Sequence, residues 1–280
     1  LKVAAGANAA NQIIAETSPD AVMLASSSGD ALLTAAFALE RGCALFMASK
    51  EPMAQAADLL LKLAGKSGAK RLIPIDSELT ALWFLTSKLG KKSVDRLLIT
   101  ASGGPFWGKS FEYFADASAS EALAHPRWKM GEKITIDSAT LVNKTLEVVV
   151  ASRLFGFEHG GIDVAIHPQA KVHAGITTRD GATAFMASEP DMRAAIRKAL
   201  SSLTGCRASS KVPPMNLYES GLEFKKPDGW AADMLAVAPV LIKSRRAAVN
   251  FCAMDEAAVA EYLSGGISLA DVYRLVMQAA

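Results

Sequence analysis

The chain has 280 residues, a length that fits one large domain or two smaller ones. It is 51% hydrophobic and 21% charged with a formal net charge of +2, which excludes a disordered chain and argues against a dedicated nucleic-acid binder. No apolar run reaches the roughly 18 residues that cross a bilayer, and Cys43, Cys206 and Cys252 are too far apart for a metal-type pair. We therefore expect a globular cytoplasmic protein that binds neither nucleic acid nor membrane.

The first hundred residues alternate short apolar runs with longer amphipathic stretches. Strands are predicted at 21–25, 43–48, 71–75 and 96–100, and helices over 31–41 and 52–65. This alternation is typical of a mostly parallel sheet with helices on its faces. Ligands of such sheets bind beyond the carboxyl ends of the strands, so we expect a site among the loops 49–51, 76–78 and 102–105.

The middle of the chain has a different pattern. A strand is predicted at 133–136, followed by a long helix that Asp137 or Ser138 caps and that runs to about Leu154. A strand follows at 162–166, and the strands 171–178 and 182–187 flank a hairpin turn at Asp180-Gly181. A helix is predicted over 191–203. Residues 204–230 have the composition of a linker, and the rest is predicted to be helical in two or three pieces.

Two carboxylates follow the third predicted strand. Asp76 and Glu78 are hard-oxygen ligands of the kind that Mg²⁺ and Mn²⁺ prefer. The alternative is that one of them only caps the helix that begins near Leu79. Both interpretations stay open on this motif alone.

The predicted helix after Ser138 carries three polar residues on one side, namely Asn143, Lys144 and Glu147. They form either a solvated face with a Lys–Glu pair or an anion site beside a third metal carboxylate. Ser138 at a helix N-terminus would favour phosphate binding. The Gly103-Gly104 turn after a strand offers a further, weaker indication.

Two further segments carry aromatic and histidine side chains. His125, Trp128 and Met130 lie in a loop that either closes over a ligand or packs on the core. His167 and His173 lie at strand ends, where a histidine is either structural or in contact with substrate. The chain contains neither a Gly-x-Gly-x-x-Gly fingerprint nor a phosphate-binding loop of the nucleotide-triphosphate type.

Together these segments resemble the 1-deoxy-D-xylulose 5-phosphate reductoisomerase family. The strings that carry the resemblance are Ser-Lys-Glu (49–51), Pro-Ile-Asp-Ser-Glu (74–78), Ser-Gly-Gly-Pro-Phe (102–106), His-Pro-Arg-Trp-Lys-Met-Gly (125–131), Lys-Ile-Thr-Ile-Asp-Ser-Ala-Thr-Leu-Val-Asn-Lys-Thr-Leu-Glu (133–147), Ile-His-Pro-Gln (166–169) and Glu-Pro-Asp-Met-Arg (189–193). Their order and spacing are kept over residues 40–200, and beyond residue 205 the resemblance is faint.

The resemblance implies NADPH-dependent isomerisation and reduction of 1-deoxy-D-xylulose 5-phosphate to 2-C-methyl-D-erythritol 4-phosphate, a step of non-mevalonate isoprenoid biosynthesis, with Mg²⁺ or Mn²⁺ and in a homodimer. It assigns the metal to Asp76, Glu78 and Glu147. It assigns catalytic roles to Glu78, His125, Trp128 and Lys144, substrate binding to Ser77, Ser102, His125, Met130, Ser138, Asn143, Lys144 and His173, and cofactor binding to Lys50, Glu51 and Met192.

The resemblance also implies an α/β organisation in several parts. These are a partial Rossmann-like NADPH-binding domain at 1–75, an α+β catalytic domain with a mixed sheet at 76–205, a linker at 206–229 and a C-terminal helical domain at 230–280. The family's glycine-rich nucleotide loop has no counterpart after Leu1, so we expect that the chain is a fragment that begins after this loop.

Several positions depart from the family pattern, namely Ser49 for Asn, Leu79 for His, Trp107 for Arg, Ala170 for Ser and Ser188 for Gly. These departures leave two alternatives open. One is a metal-dependent phosphosugar isomerase without the nicotinamide step, and the other is a non-catalytic phosphosugar-binding paralogue.

Overall fold

The computed structural model describes residues 3, 5–6, 8–26, 30–205, 212–216, 218 and 221–280. In this part of the chain the strands are β1 (Ala21–Leu24), β2 (Ala44–Met47), β3 (Leu72–Pro74), β4 (Val94–Ala101), β5 (Ile162–Ile166), β6 (Val172–Thr178) and β7 (Thr183–Ala187).

The helices that precede β5 in the chain are α1 (Ala9–Thr17), α2 (Ala31–Glu40), α3 (Glu51–Ala64), α4 (Gly68–Arg71), α5 (Ser77–Leu89), α6 (Phe111–Ala115), α7 (Ala119–Ala122), α8 (Glu132–Ala139) and α9 (Val142–Phe155). Those that follow are α10 (Met192–Thr204), α11 (Gly229–Leu235), α12 (Ala238–Lys243), α13 (Arg245–Leu263) and α14 (Leu269–Gln278). Short 3₁₀ turns occupy Gly65–Ser67, Lys91–Ser93 and His159–Gly161.

The first sheet is parallel, in the order β1-β2-β3. Every residue of β2 is buried, which is why this strand is an uninterrupted apolar run in the sequence. The helices α2 and α3 connect its strands in succession. The predicted parallel sheet is confirmed for its first three strands, and the carboxyl ends of β2 and β3 point to one edge.

The second sheet is mixed, in the order β5-β4-β6-β7. β4 pairs parallel with β5 and antiparallel with β6, and β6 and β7 form the predicted hairpin. Gly181 supplies the positive φ of 86° that the turn requires. The fourth predicted strand therefore exists, but it is central to this second sheet and does not extend the first. A short apolar run predicts a strand, whereas its partner is set by long-range packing.

The segment 132–155 differs from its prediction. The predicted strand at 133–136 is wrong, because these residues belong to α8. Ile134 and Ile136 alternate with polar residues, but Lys133 and Asp137 lie one helical turn apart and form an ion pair of 2.6 Å. The single long helix is also wrong, since Leu141 has a φ of 64° and separates α8 from α9. Ser138 therefore lies in the last turn of α8 and not at a helix N-terminus.

The C-terminal part consists of four helices, α11 to α14, where two or three pieces were predicted. The described residues between 205 and 228 form no helix or strand, except that Lys225 bridges to Ile166 at the end of β5. Cys206 and the rest of 206–211 lie outside the described residues. Trp230 of α11 stacks on Phe114 with ring centroids 4.8 Å apart, and Tyr273 Oη donates to the Trp230 carbonyl.

None of the helices in the described part of the chain combines the length and the hydropathy that a membrane span requires.

Candidate active site

A cavity of about 320 Å³ lies where the carboxyl ends of β2, β3 and β4 meet the junction of α8 and α9. The three loops that the sequence singles out all line it, through Lys50, 75–78 and 100–103. The loop 125–131, which we call the flap, lines it through His125 and 128–130. The sequence therefore predicts the place of the cavity correctly.

Three carboxylates converge beside this cavity. Asp76, Glu78 and Glu147 each offer an oxygen, and these oxygens lie within 4.8 Å of one another. Asp76 caps α5 and Glu78 lies in its first turn, and both line the cavity. Glu147 comes from the second turn of α9, is fully buried and does not line the cavity. Three hard-oxygen donors at this separation fit a divalent cation such as Mg²⁺ or Mn²⁺.

Asp76 also caps a helix. Its Oδ1 accepts from the backbone N–H groups of Glu78 and Leu79 at 3.0 and 2.9 Å, so α5 begins at Ser77. Its Oδ2 faces the Lys50 ammonium at 2.6 Å. The two interpretations of this motif are therefore compatible, because one oxygen caps the helix and the other lies in the cluster.

Two buried lysines neutralise part of the acidic charge. Lys144 Nζ donates to Glu78 Oε1 at 2.9 Å and to Glu147 Oε2 at 2.6 Å. Lys50 Nζ lies 3.7 Å from Glu147 Oε1. Both lysines are about 5% exposed, so Asn143, Lys144 and Glu147 do not form a solvated face.

The pKa shifts show which charges are held in place. Burial raises the pKa of Glu147 to about 8, and the carboxylates of Glu78 and Asp76 add to this. Burial alone would raise the pKa of Glu78, but the Lys144 ammonium outweighs burial and lowers this pKa to about 2. At neutral pH a pKa of about 8 keeps Glu147 mostly protonated, and a bound divalent cation would displace this proton so that Glu147 could act as a ligand.

The first turn of α9 lines the cavity through Leu141, Asn143 and Lys144. Its N-cap residue, Leu141, makes no side-chain cap bond, and the Val142 N–H donates to Thr140 Oγ1 at 3.5 Å. The helix N-terminus at this cavity is therefore that of α9, and not one that Ser138 caps as the sequence argument expected. Ser138 itself lines the cavity from the end of α8.

Gly104 brings the loop after β4 against the end of α8. Its φ is 67°, and an added Cβ would lie 2.9 Å from the Ser138 carbonyl oxygen. Any larger residue at position 104 would therefore push the Ser102 loop away from α8. The weak Gly-Gly indication in the sequence corresponds to this close backbone approach.

His125 organises the flap. Its Nδ1 accepts from the backbone N–H groups of Arg127 and Trp128 at 3.1 and 2.9 Å. Since Nδ1 accepts, the proton of the neutral ring lies on Nε2, which donates to Ser102 Oγ at 3.1 Å. Burial lowers the pKa of His125, which favours this neutral form.

The two strand-end histidines separate clearly. His173 lines the cavity, and its Nε2 lies 2.8 Å from Ser188 Oγ, which in turn donates to the Glu189 carbonyl. His167 does not line it, since its Nδ1 contacts the Glu223 carbonyl and its ring stacks on Phe224.

Most of the other residues proposed for the site lie at the cavity. Ser77, Met130 and Met192 line it, and the Trp128 ring lies 6.3 Å from that of His173. Glu51 does not line it, because its carboxylate faces Lys133 at 3.4 Å. The resemblance-based roles of all these residues stay predictions.

The sequence argument missed three features. Ser188 holds His173, Leu141 makes the turn between α8 and α9, and Lys133 lies in a second ion cluster. Of these three features, only the ion cluster could have been predicted, from the i,i+4 spacing of Lys133 and Asp137. Nothing in the sequence indicates a positive φ at Leu141 or a contact between Ser188 and His173.

Comparison with known families gives two matches. Residues 72–155 match the family described as 1-deoxy-D-xylulose 5-phosphate reductoisomerase C-terminal domain, and residues 187–280 match the one described as DXP reductoisomerase C-terminal domain. The second match extends to the end of the chain. The expectation that the resemblance is faint beyond residue 205 is therefore wrong.

Two solved structures share the fold. A DOX-P reductoisomerase in complex with NADPH, fosmidomycin and magnesium has a TM-score of 0.85 and 33% identity, with coverage of 98% of this chain and 69% of that one. The 1-deoxy-D-xylulose 5-phosphate reductoisomerase of Zymomonas mobilis in complex with NADPH has a TM-score of 0.85 and 30% identity, with coverage of 98% and 70%.

Curated relatives agree. The 1-deoxy-D-xylulose 5-phosphate reductoisomerase of Thermomicrobium roseum is 39% identical over 260 residues, which cover 92% of this chain and 67% of that protein. The enzyme of the same name from Vesicomyosocius okutanii is 35% identical over 280 residues and 72% of its length. These relatives, the two matching family domains and the converging carboxylates together show that the chain belongs to the 1-deoxy-D-xylulose 5-phosphate reductoisomerase family.

Proposed function

We propose that this protein converts 1-deoxy-D-xylulose 5-phosphate into 2-C-methyl-D-erythritol 4-phosphate with NADPH and a divalent metal, as a step of isoprenoid biosynthesis. The observation that carries the proposal is the cluster of three carboxylates and two buried lysines beside one cavity at the ends of the strands, with each of these residues except Glu147 lining the cavity. The related DOX-P reductoisomerase structure with NADPH, fosmidomycin and magnesium supports the choice of cofactors.

In this proposal, Asp76, Glu78 and Glu147 hold Mg²⁺ or Mn²⁺. Their oxygen donors and their close spacing both fit such an ion. Ala48 and Met192 are apolar residues at the cavity that fit one face of a nicotinamide ring. When bound, the metal polarises the ketone of the substrate and NADPH supplies the hydride.

Lys144 acts as a fixed positive charge and not as a base. Burial alone would lower the pKa of Lys144, but the carboxylates of Glu147 and Glu78 outweigh burial and raise this pKa. A protonated lysine that is held by two carboxylates stabilises negative charge that develops on substrate oxygens. Lys50 contributes a second positive charge beside Asp76 and Glu147.

The phosphate of the substrate lies at the first turn of α9 in this proposal. The backbone N–H groups of that turn, the Asn143 amide and the Ser138 hydroxyl supply neutral donors near Lys144. His173 adds to this end of the site, and Ser188 fixes its tautomer. The Ser188 hydroxyl donates its one hydrogen bond to the Glu189 carbonyl. Nε2 of His173 therefore carries a proton and donates to Ser188 Oγ.

The flap excludes water from the reaction. His125 Nε2 donates to Ser102 Oγ, which leaves the hydroxyl proton of Ser102 free to bond to a substrate oxygen. Trp128 and Met130 form the apolar inner side of the flap. Binding energy from the phosphate is then available to hold the flap closed over the ketone.

We further propose the arrangement of the protein as a whole. The NADPH-binding part is at 1–75, the catalytic part at 76–205, the linker at 206–229 and the helical part at 230–280. We place the protein in the cytoplasm, which the free thiols of Cys43 and Cys252 support. A second copy pairs along β7, whose Phe185 is 47% exposed and stacks on Phe224.

Two measurements on the purified protein test the function. Calorimetry with Mn²⁺ measures the binding of 1-deoxy-D-xylulose 5-phosphate, and the absorbance of NADPH measures turnover. We expect both binding and metal-dependent NADPH consumption. Tight binding without NADPH consumption supports the binding paralogue instead, and the absence of both contradicts the proposal.

A further inference from the structure

A second ion cluster lies outside the cavity, at the first turn of α8. The Lys133 ammonium lies 2.6 Å from Asp137 Oδ2, 2.5 Å from Asp255 Oδ2 and 3.4 Å from Glu51 Oε1. Asp137 belongs to α8, Asp255 to α13 and Glu51 to the start of α3. One side chain therefore joins three separate segments of the chain.

Stability does not explain this cluster. Asp137 and Asp255 are almost fully buried, and each keeps an Oδ1 that has no hydrogen-bond partner among the described residues. Removing such charges from water costs more than packing apolar residues of the same size. Burial, together with the carboxylate of Asp255, raises the pKa of Asp137, so the pair tends to keep a proton. A cluster with this cost fits a role in fixing positions.

Two of the segments that Lys133 joins adjoin the cavity. Lys133 lies two residues after the flap, and Ile134 and Ser138 of the same helix line the cavity. Glu51 is adjacent to Lys50, whose ammonium contacts Asp76. The position of Lys133 therefore affects both the flap and the carboxylate cluster through the backbone.

The two ends of the flap are held differently. At its N-terminal end, His125 bonds to Ser102 and Arg127 Nε donates to the Pro168 carbonyl at 3.0 Å. At its C-terminal end, Gly131 begins α8, and Lys133 is the first side chain that ties this helix to another part of the fold.

We propose that Lys133 is a positioning residue that anchors the base of the flap and the cavity face of α8 to α13 and to the start of α3. Lys133 does not line the cavity and acts through Ser138 and the flap. Glu51, which the family resemblance assigns to cofactor binding, is in this view a part of the anchor.

The test compares Lys133→Met, Lys133→Arg and the unchanged protein. Hydrogen exchange of the amides over 126–135 measures the anchor directly, and kinetics measure its effect on the reaction. We expect Lys133→Met to speed exchange in this segment by about tenfold and to raise the KM for 1-deoxy-D-xylulose 5-phosphate by a similar factor, with the KM for NADPH unchanged. Lys133→Arg keeps the charge and restores most of both values.

Arg96→Met is the matched control, because it removes an ion pair of 2.7 Å with Asp163 that is exposed to solvent. It leaves exchange over 126–135 and both KM values unchanged. Exchange in Lys133→Met that matches the unchanged protein, or that rises equally across the whole chain, overturns the proposal. If Lys133→Met does not fold, Asp255→Ala cuts only the link to α13, and unaltered exchange over 126–135 in that variant overturns the proposal too.

The kinetic part of this test rests on the proposed function, whereas the exchange part does not. A protein that lacks turnover contradicts the proposed function and leaves the exchange comparison valid. If the Lys133→Met variant turns over substrate normally and its amides over 126–135 exchange as fast as those of the unchanged protein, the anchor is contradicted and the proposed function stays intact.

Discussion

Lys144 and Glu147 form an ion pair of 2.6 Å in which both side chains are buried. They lie one turn apart on α9, so the same helix supplies one carboxylate of the proposed metal site and a cation beside it. Lys144 also contacts Glu78 in the first turn of α5, which fixes α9 against the carboxyl end of the first sheet. The arrangement of the carboxylate cluster is therefore set by this contact between two helices.

Glu147→Gln should abolish metal-dependent turnover and leave the fold intact. Glutamine resembles the protonated acid, and without a metal the pKa of Glu147 is about 8, so the uncharged side chain fits this buried place at neutral pH. We expect turnover to fall by more than about a hundredfold, since even residues that only support a metal ligand contribute about ten- to a hundredfold. Mn²⁺ affinity from calorimetry and NADPH consumption are the two measurements.

Asp163→Asn serves as the control for this change, because Asp163 is an exposed carboxylate in a surface ion pair. It should leave both Mn²⁺ affinity and turnover unaltered. Normal turnover in Glu147→Gln would mean that Glu147 does not hold the metal.

His125 allows a matched pair of substitutions that separates its two contacts. In His125→Asn the amide oxygen replaces Nδ1 and keeps the bonds from the Arg127 and Trp128 backbone. In His125→Gln the amide nitrogen replaces Nε2 and keeps the bond to Ser102. We expect His125→Gln to raise the substrate KM about fivefold more than His125→Asn, because it loses two backbone bonds of about 1 kcal/mol each whereas His125→Asn loses one bond.

The pH dependence of the unchanged protein provides an independent check on His125. Burial lowers its pKa in the folded state, so the folded protein binds this proton less well than the unfolded chain. The bonds that Nδ1 accepts are fully present above the ordinary value of 6.5 and are lost as the pH falls through the lowered pKa. Substrate KM should therefore rise as the pH falls through the lowered pKa, and the same pH dependence of KM in His125→Gln, which has no titrating ring at this position, would contradict this role.

The chain's own sequence predicts the cavity well and the local structure around it less well. The loops after β2, β3 and β4 were placed correctly, because parallel strands end at one edge and polar residues there stand out against apolar runs. Asp76, Glu78 and Glu147 were grouped through spacing and resemblance, and the fold brings them together.

The prediction failed where a local pattern has two solutions. Ile134 and Ile136 alternate as in a strand, yet α8 is helical because Lys133 pairs with Asp137 and Thr135 Oγ1 donates to the Gly131 carbonyl. The break at Leu141 has no signal in the sequence, since only Gly and Asn usually adopt its conformation. With this break, α8 and α9 both reach the cavity, through Ser138 and Lys144.

Asp255→Asn should flatten the pH dependence of stability. Burial raises the pKa of Asp255, although Lys133 opposes this, so the folded protein binds the proton more tightly than the unfolded chain. Its contribution therefore weakens as the pH rises above the ordinary value of 3.8. Asparagine still accepts from Lys133, so at pH 7 we expect equal or higher stability, within about 1 kcal/mol.

Denaturant unfolding of both proteins between pH 4 and pH 8 measures this difference. The free energy of unfolding of the unchanged protein should fall relative to that of Asp255→Asn as the pH rises. Parallel curves would mean that Asp255 is ionised throughout and that Lys133 alone neutralises the cluster.

Gly104→Ala tests whether the close approach of the Ser102 loop to α8 is required. The new Cβ would lie 2.9 Å from the Ser138 carbonyl oxygen and 3.1 Å from Ala139 Cα, and both are backbone atoms that cannot rotate away. We expect a loss of about 1–3 kcal/mol in the free energy of unfolding, from the contact and from the positive φ together. Substrate affinity should fall as well, because Ser102 and Ser138 move apart.

Gly108→Ala separates these two causes. Gly108 has a φ of 78°, close to that of Gly104, but nothing lies within 4 Å of its added Cβ. This variant therefore measures the backbone strain alone, and denaturant unfolding should show a smaller loss than in Gly104→Ala. Equal losses in the two variants, with unchanged substrate affinity, would mean that the loop and α8 yield to the extra methyl group and that Ser102 and Ser138 are positioned independently of each other.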